Sequence, residues 1–230
     1  RARHRQFRRA RAFLDRFDAP WLAVPGNHDT PLDNLAVRLL WPWARYRRWI
    51  ARDLEPVHED DAVVVVGVNT VNPLGWQRGR IARKAVRRVC SAFAPTRGRR
   101  VRIVVVHHPL EHVPGERKEL MRGAEAALDA LAECGADVVL SGHLHSWRAE
   151  PFAKREGRTA VLQVQAGTGL SSRLRGEQND FNLLEVEART VTIQRYAADE
   201  SEGGFHPAER RRFQLGAAGW AAHDSGRANR

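Results

Sequence analysis

Residues 63–68 read Val-Val-Val-Val-Gly-Val and residues 101–106 read Val-Arg-Ile-Val-Val-Val. Continuous β-branched runs of this length suit strands buried on both faces, the condition of a parallel sheet covered by helices. Between and around them the apolar spacing changes to that of helices. Ala82, Ala85, Val86, Val89 and Phe93 mark one helix, and Ala124, Ala127, Leu128 and Leu131 mark another, with Gly135 as its stop. Residues 137–140 are a further short strand ending at Ser141-Gly142. An earlier helix is marked by Phe7, Ala10, Leu14 and Phe17, and a short strand is expected at 21–24. The alternation β-α-β-α-β predicts an α/β fold. Beyond Trp147 the segments 160–165, 181–187 and 190–196 alternate or are β-branched, and they predict a strand-only half.

Three short runs lie where predicted strands end: Gly26-Asn27-His28-Asp29, Val106-His107-His108-Pro109 and Gly142-His143-Leu144-His145. In an extended segment His143 and His145 would point to the same side, one for each of two ions, and Gly142 would let the backbone approach closely. His107 leaves the sheet one strand earlier and can meet the same point from the side, with Pro109 stiffening the exit. Asn27 offers a neutral amide oxygen, suited to a mixed N/O shell. His28 should face the mouth of the site, where an imidazole can protonate a leaving oxygen. Asp29 could hold that ring in one tautomer. Any single one of the ten histidines reads as structural, and Gly-Asn-His-Asp alone reads as a turn. Three strand-end runs that each carry a His read as a metal site.

The chain of 230 residues carries a formal net charge of +11. Of its 38 basic residues 35 are Arg, and residues 1–17 hold seven of them against a single Asp. That concentration reads as the solvated face of one helix, with steering of an anionic phosphate substrate as its functional remainder and nucleic acid disfavoured. No apolar run is long enough to span a membrane. Cys90 and Cys134 fall on the apolar sides of predicted helices and read as buried thiols in a reducing compartment, hence a cytoplasmic protein. The segment 38–50, rich in Trp and Arg, reads as a packed helical insertion, with a cap over the site and a membrane contact as alternatives. Trp76, the 112–117 loop and the 165–168 turn are weaker candidates for lining the cleft. From Asp199 onward Gly, Ser, Ala and Arg dominate, so 199–230 is expected to be a loosely held extension of a domain spanning 1–198.

These residues resemble the calcineurin-like metallophosphoesterase family: 26–29, 107–109 and 142–145 match its third, fourth and fifth signatures in order and type. The nearest likeness is to the class III cyclic-nucleotide phosphodiesterase branch. The resemblance implies a four-layer α/β-β/α sandwich of two mixed sheets flanked by helices, here lacking its first β-α-β unit. It also implies two divalent ions (Mn, Fe or Zn), with Asn27, His107 and His143 on one and His145 on the other. The catalytic residues it implies are His28, against the scissile phosphate, and Asp29 behind it. His108 occupies the variable position of its signature and stays outside the shell. The implied reaction is hydrolysis of a phosphodiester or phosphomonoester, a cyclic nucleotide among them, by a metal-bound hydroxide. The family's D-x-H and G-D-x-x-D signatures do not occur upstream of Gly26, which leaves a catalytically incomplete relative that binds phosphate or nucleic acid as the alternative.

Overall fold

The computed structural model describes residues 2–75, 77–96, 100–112, 118–152, 161–171, 176–187, 189–199, 201 and 203–223. Its helices are α1 (His4–Leu14), α2 (Leu35–Leu40), α3 (Ala44–Trp49), α4 (Arg83–Phe93) and α5 (Ala124–Glu133). Its strands are β1 (Val57–Glu59), β2 (Val63–Val68), β3 (Val101–Val106), β4 (Val138–Ser141), β5 (Arg148–Pro151), β6 (Leu162–Gln165), β7 (Asp180–Glu187), β8 (Thr190–Ala198), β9 (Phe205–Gly216) and β10 (Gly219–Ala222).

The two valine-rich runs are adjacent parallel strands, as their composition requires, with Val63 opposite Val101 and Val68 opposite Val106. They sit inside a six-stranded sheet ordered β1-β2-β3-β4-β6-β5, whose edge strands run antiparallel to their neighbours. Helices α4 and α5 cover one face through Val86, Val89, Phe93, Leu128 and Leu131. The other face packs on a four-stranded sheet ordered β10-β9-β8-β7, through Ile103, Val138, Leu162, Ile193, Phe213 and Trp220. The α/β class with two sheets is therefore what the chain adopts. The finer expectation needs adjusting: the second sheet is wholly antiparallel, and its outer face shows Phe181 and Leu183 to solvent. Among the described residues no helix covers that face; α1 and α3 gather elsewhere, around Phe7, Tyr46 and Leu54.

Several sequence expectations shift. Residues 21–24 form no strand, Val24 resting instead against Gly67. The 38–50 segment is helical and packed. Its Trp41-Pro42 pair separates α2 from α3, and Tyr46 of α3 is buried against Phe7 of α1 with rings edge to face. Leu39, Leu40 and Trp41 stay exposed. The expected loose tail is corrected more strongly. Residues 205–222 form β9 and β10, which bury Phe213 and Trp220 between the sheets. Alternation along 213–220 was hidden by the Arg-rich outer positions of β9. The cysteines are also corrected: Cys90 of α4 and Cys134, the residue that ends α5, form a disulfide, their Cα atoms 5.4 Å apart. Two helices that pack side by side bring positions 44 apart in sequence together, which spacing alone cannot reveal. The cytoplasmic expectation rested on free thiols, and the bridge removes that support, since disulfides persist in oxidising compartments. Among the described residues no helix is long and apolar enough to cross a membrane.

One buried ion pair fastens β3 to the start of β4. Asp137 accepts the backbone N–H of Arg102 at 2.9 Å and its Nε at 2.9 Å, with Nη2 at 3.2 Å. Truncating Asp137 leaves a half-buried guanidinium without its carboxylate. Asp137→Ala is expected to cost about 3 kcal/mol in chemical denaturation. Reducing the disulfide is expected to remove roughly 3–4 kcal/mol, the loop-closure value for a link of this span. Denaturant midpoints with and without reductant check the second figure.

Candidate metal centre

All three runs arrive at one edge of the six-stranded sheet. Strand β3 hands directly into His107, and β4 into Gly142. The chain continues the ladder one step beyond the strands, because Gly142 N–H donates to the His107 carbonyl at 3.2 Å. The third run forms a single 3-10 turn, Asn27–Asp29. Asp29 closes that turn by accepting the Gly26 N–H at 2.8 Å, while Thr30 Oγ1 donates to the Asn27 carbonyl at 3.0 Å. Behind it stands Arg38 of α2, 3% exposed, donating to Thr30 Oγ1 at 2.6 Å, to the Pro73 carbonyl at 2.8 Å and to that of Gly75 at 3.1 Å.

The result is a convergence of lone pairs. Asn27 Oδ1 lies 2.9 Å from His107 Nε2, and His143 Nδ1 lies 3.3 Å from the same nitrogen. Asn27 is buried and both rings are half-buried. Burial, reinforced by the neighbouring imidazoles, holds His107 well below the ordinary histidine range and brings His143 down to about 3. Both rings are therefore neutral at physiological pH. A neutral ring puts at most one proton on Nε2, so one proton faces two acceptors there. A cation bound by all three atoms removes that conflict, and a neutral N/N/O donor set suits zinc, manganese or iron. The residues present fit such an ion. Gly26 makes room for the arrangement: a Cβ there would meet His107 Cε1 and Nδ1 at 3.0 Å.

His108 belongs to the same cluster by distance, its ligand atom lying with those of His107 and His143 within 4.8 Å. Its hydrogen bonds place it elsewhere. Nε2 faces the Gln77 carbonyl at 3.0 Å, which can only accept, so Nε2 carries the proton. Nδ1 then accepts from Thr70 Oγ1 at 2.9 Å, and that oxygen in turn accepts the His108 N–H at 3.2 Å. Both ring nitrogens are committed, and burial lowers the pKa to about 4. Gly79 packs on this ring, where a Cβ would meet Cγ at 2.5 Å.

The remaining candidates fall around this centre. His145 and His28 are close enough to His107 to help hold it neutral, and His28 is exposed. The Asp29 carboxyl faces inward although the residue keeps some surface, and burial raises its pKa to about 6 against the opposing Gly26 N–H. The structure thus gives Asp29 a part in presenting Asn27. Residues 142–145 are not the extended segment expected. His143 and His145 have φ of 73° and 65°, so the left-handed backbone is carried by the histidines, and a Cβ on Gly142 would meet nothing within 4 Å. The close approach at Gly167 is real but its partner is Asp180, whose Oδ1 accepts the Gly167 N–H at 2.8 Å. Trp76 and residues 113–117 lie outside the described residues. Lys118, which the sequence reading passed over, donates to the His143 carbonyl at 3.4 Å and lines a cleft of about 330 Å³ with Gln77, Arg78, Glu119 and His143. Its rarity was the available signal: it is one of three lysines among 38 basic residues.

A model of the family described as calcineurin-like phosphoesterase matches residues 2–147, more than half of the chain. The chain belongs to that family. No curated protein matches it. Solved structures with similarity include GAP50, the anchor in the inner membrane complex of Plasmodium, 14% identical over 70% of this chain, with a TM-score of 0.44. The chain spans 56% of the length of that protein. Vps29 of Chaetomium thermophilum is 14% identical over 81% of this chain and 90% of its own, with a TM-score of 0.34. Wild-type Vps29 from Entamoeba histolytica, complexed with zinc, is 16% identical over 64% of this chain and 97% of its own, with a TM-score of 0.28.

Two outcomes separate the three-donor site from the three-histidine cluster. His108→Ala should destabilise the fold by about 1–3 kcal/mol, by orphaning Thr70 and Gln77, and leave zinc affinity unchanged in calorimetry. Gly26→Ala should weaken zinc affinity without a comparable loss of stability. The unfolded chain binds a proton at His108 near pH 6.5 and the folded one only near 4. Stability should therefore fall as pH drops through that window, and less so in His108→Gln.

Proposed function

We propose that this family member is a metal-dependent phosphoesterase in which Asn27, His107 and His143 hold one divalent ion and His145 serves a second. The observation that carries the reading is the meeting of Asn27 Oδ1 and His143 Nδ1 on one nitrogen of His107. When bound, such ions supply Lewis acidity toward a phosphoryl oxygen. The chain's own groups do the rest. The sheet edge and the Asn27 turn hold three donors in place before any ligand arrives, so little reorganisation is left to binding. His28, exposed beside His107, is placed to deliver a proton to a departing oxygen. Lys118 offers a cation on the His143 side of the cleft for a non-bridging phosphate oxygen. We assign a phosphodiester or phosphomonoester as substrate, a 3',5'-cyclic nucleotide being one candidate, and manganese, iron or zinc as the metal.

One observation favours a second reading. Among the described residues the candidate metal cluster contains histidines and no carboxylate, whereas paired cations need anionic ligands between them. A relative that binds phosphate without turning it over would show this donor set.

Manganese-loaded protein should hydrolyse bis(4-nitrophenyl) phosphate, with loss on chelation and a drop of roughly a hundredfold or more in kcat/KM for His143→Ala. Metal binding by calorimetry with no turnover above buffer would establish the second reading and sink the first.

A further inference from the structure

Away from the metal cluster, the two helices packed on the sheet leave a groove of about 680 Å³ between them. Four arginines line it: Arg80, Arg83 and Arg87 from the α4 side and Arg122 from the turn into α5. All four are exposed at the surface. Among the described residues none of them forms an ion pair, although Arg78 and Arg88, their neighbours in sequence, pair with Glu119 and Glu55. No Asp or Glu lines the groove. Backbone hydrogen bonds fix the arginine-bearing segments side by side: Ile81 N–H donates to the Arg122 carbonyl at 3.0 Å, and Arg122 N–H to that of Gly79 at 3.0 Å. The Cys90–Cys134 bridge ties the two helical walls together.

We infer that this groove is a second binding site, separate from the metal centre, for a small molecule carrying two or more phosphate groups. Like charges gathered in one concavity oppose each other until an anion enters, and guanidinium forks match phosphate oxygens in pairs. The first turn of α4 carries no acidic side chain and its start has no side-chain cap, so its backbone N–H groups add to the positive field, while Glu125 stands in the first turn of α5. Val86 and Ala127 in the floor give the rest of the ligand an apolar seat. The volume suits a small ligand. A walled groove without an aromatic side chain offers nothing for stacked bases, which argues against a nucleic-acid strand.

The test is calorimetric titration of the metal-free protein with inorganic tripolyphosphate at about 0.15 M salt, where loose surface association is screened. Saturation at one site is expected, with affinity falling about tenfold or more in Arg83→Ala/Arg87→Ala. A charge-matched control, Arg5→Ala/Arg9→Ala on the exposed face of α1, should leave it unchanged, as should His143→Ala. Absence of saturation overturns the inference, as does a stoichiometry above one. Equal weakening in the α1 control would reduce the effect to net charge. Loss in His143→Ala would place the anion at the metal cluster instead.

Discussion

A single backbone hydrogen bond, Gly142 N–H to the His107 carbonyl, couples the two histidine runs. It exists because β3 and β4 are parallel neighbours in register, Val104 opposite Val139 and Val105 opposite Leu140, so both strands end at the same edge. That register is in turn held by the Asp137–Arg102 pair at the far end of the same strands. A slip of one residue would turn the valines of β3 out of their cores and carry His107 away from Asn27. The donor geometry is thus a by-product of sheet pairing.

The price of this placement is local strain. Left-handed backbone at a residue with a side chain costs about 1–3 kcal/mol, and it occurs at both His143 and His145. Such conformations persist only where the surroundings over-determine them. Here Leu144, between the two, is buried, and the chain is caught again at Trp147, whose Nε1 donates to Asn182 Oδ1 at 2.6 Å. Arg195 and Arg211 lie over the Trp147 ring at 5.3 and 5.0 Å from its centre. The second sheet therefore acts as a clamp on the loop that leaves the histidine cluster.

Much of this could be read from residues alone. The valine runs located β2 and β3 to the residue, since a strand buried on both faces leaves an unbroken apolar signature. Asn27, His107 and His143 stood out because strand ends and chemistry coincide, and the fold brings these three side chains together. What escaped depended on partners distant in sequence. His108 could be set aside from the resemblance, but its reason, a bracket of Thr70 and Gln77, required the fold. The disulfide needed the packing of α4 on α5. Strands β9 and β10 were masked because the exposed run Arg210, Arg211 and Arg212 precedes the buried Phe213 in β9, and composition reads such a run as solvent-bound. The left-handed turns at His143 and His145 contradict the residue preferences from which backbone shape is inferred.

Trp220 is among the largest fully buried side chains, and it closes the core between the sheets beside Phe213, Val191 and Leu162. During synthesis, the helices and the parallel strands emerge first and can pair while the ribosome is still at work. The inner face of the six-stranded sheet, however, is only partly covered by β7 and β8, and its cover is completed when Phe213 and Trp220 are available. For that interval part of the apolar surface of β3, β4 and β6 faces solvent, a state in which a nascent chain is prone to associate with others or to recruit a chaperone. Completion of the fold around the histidine cluster, clamped from the second sheet, is in this way timed by a strand that contributes no residue to it.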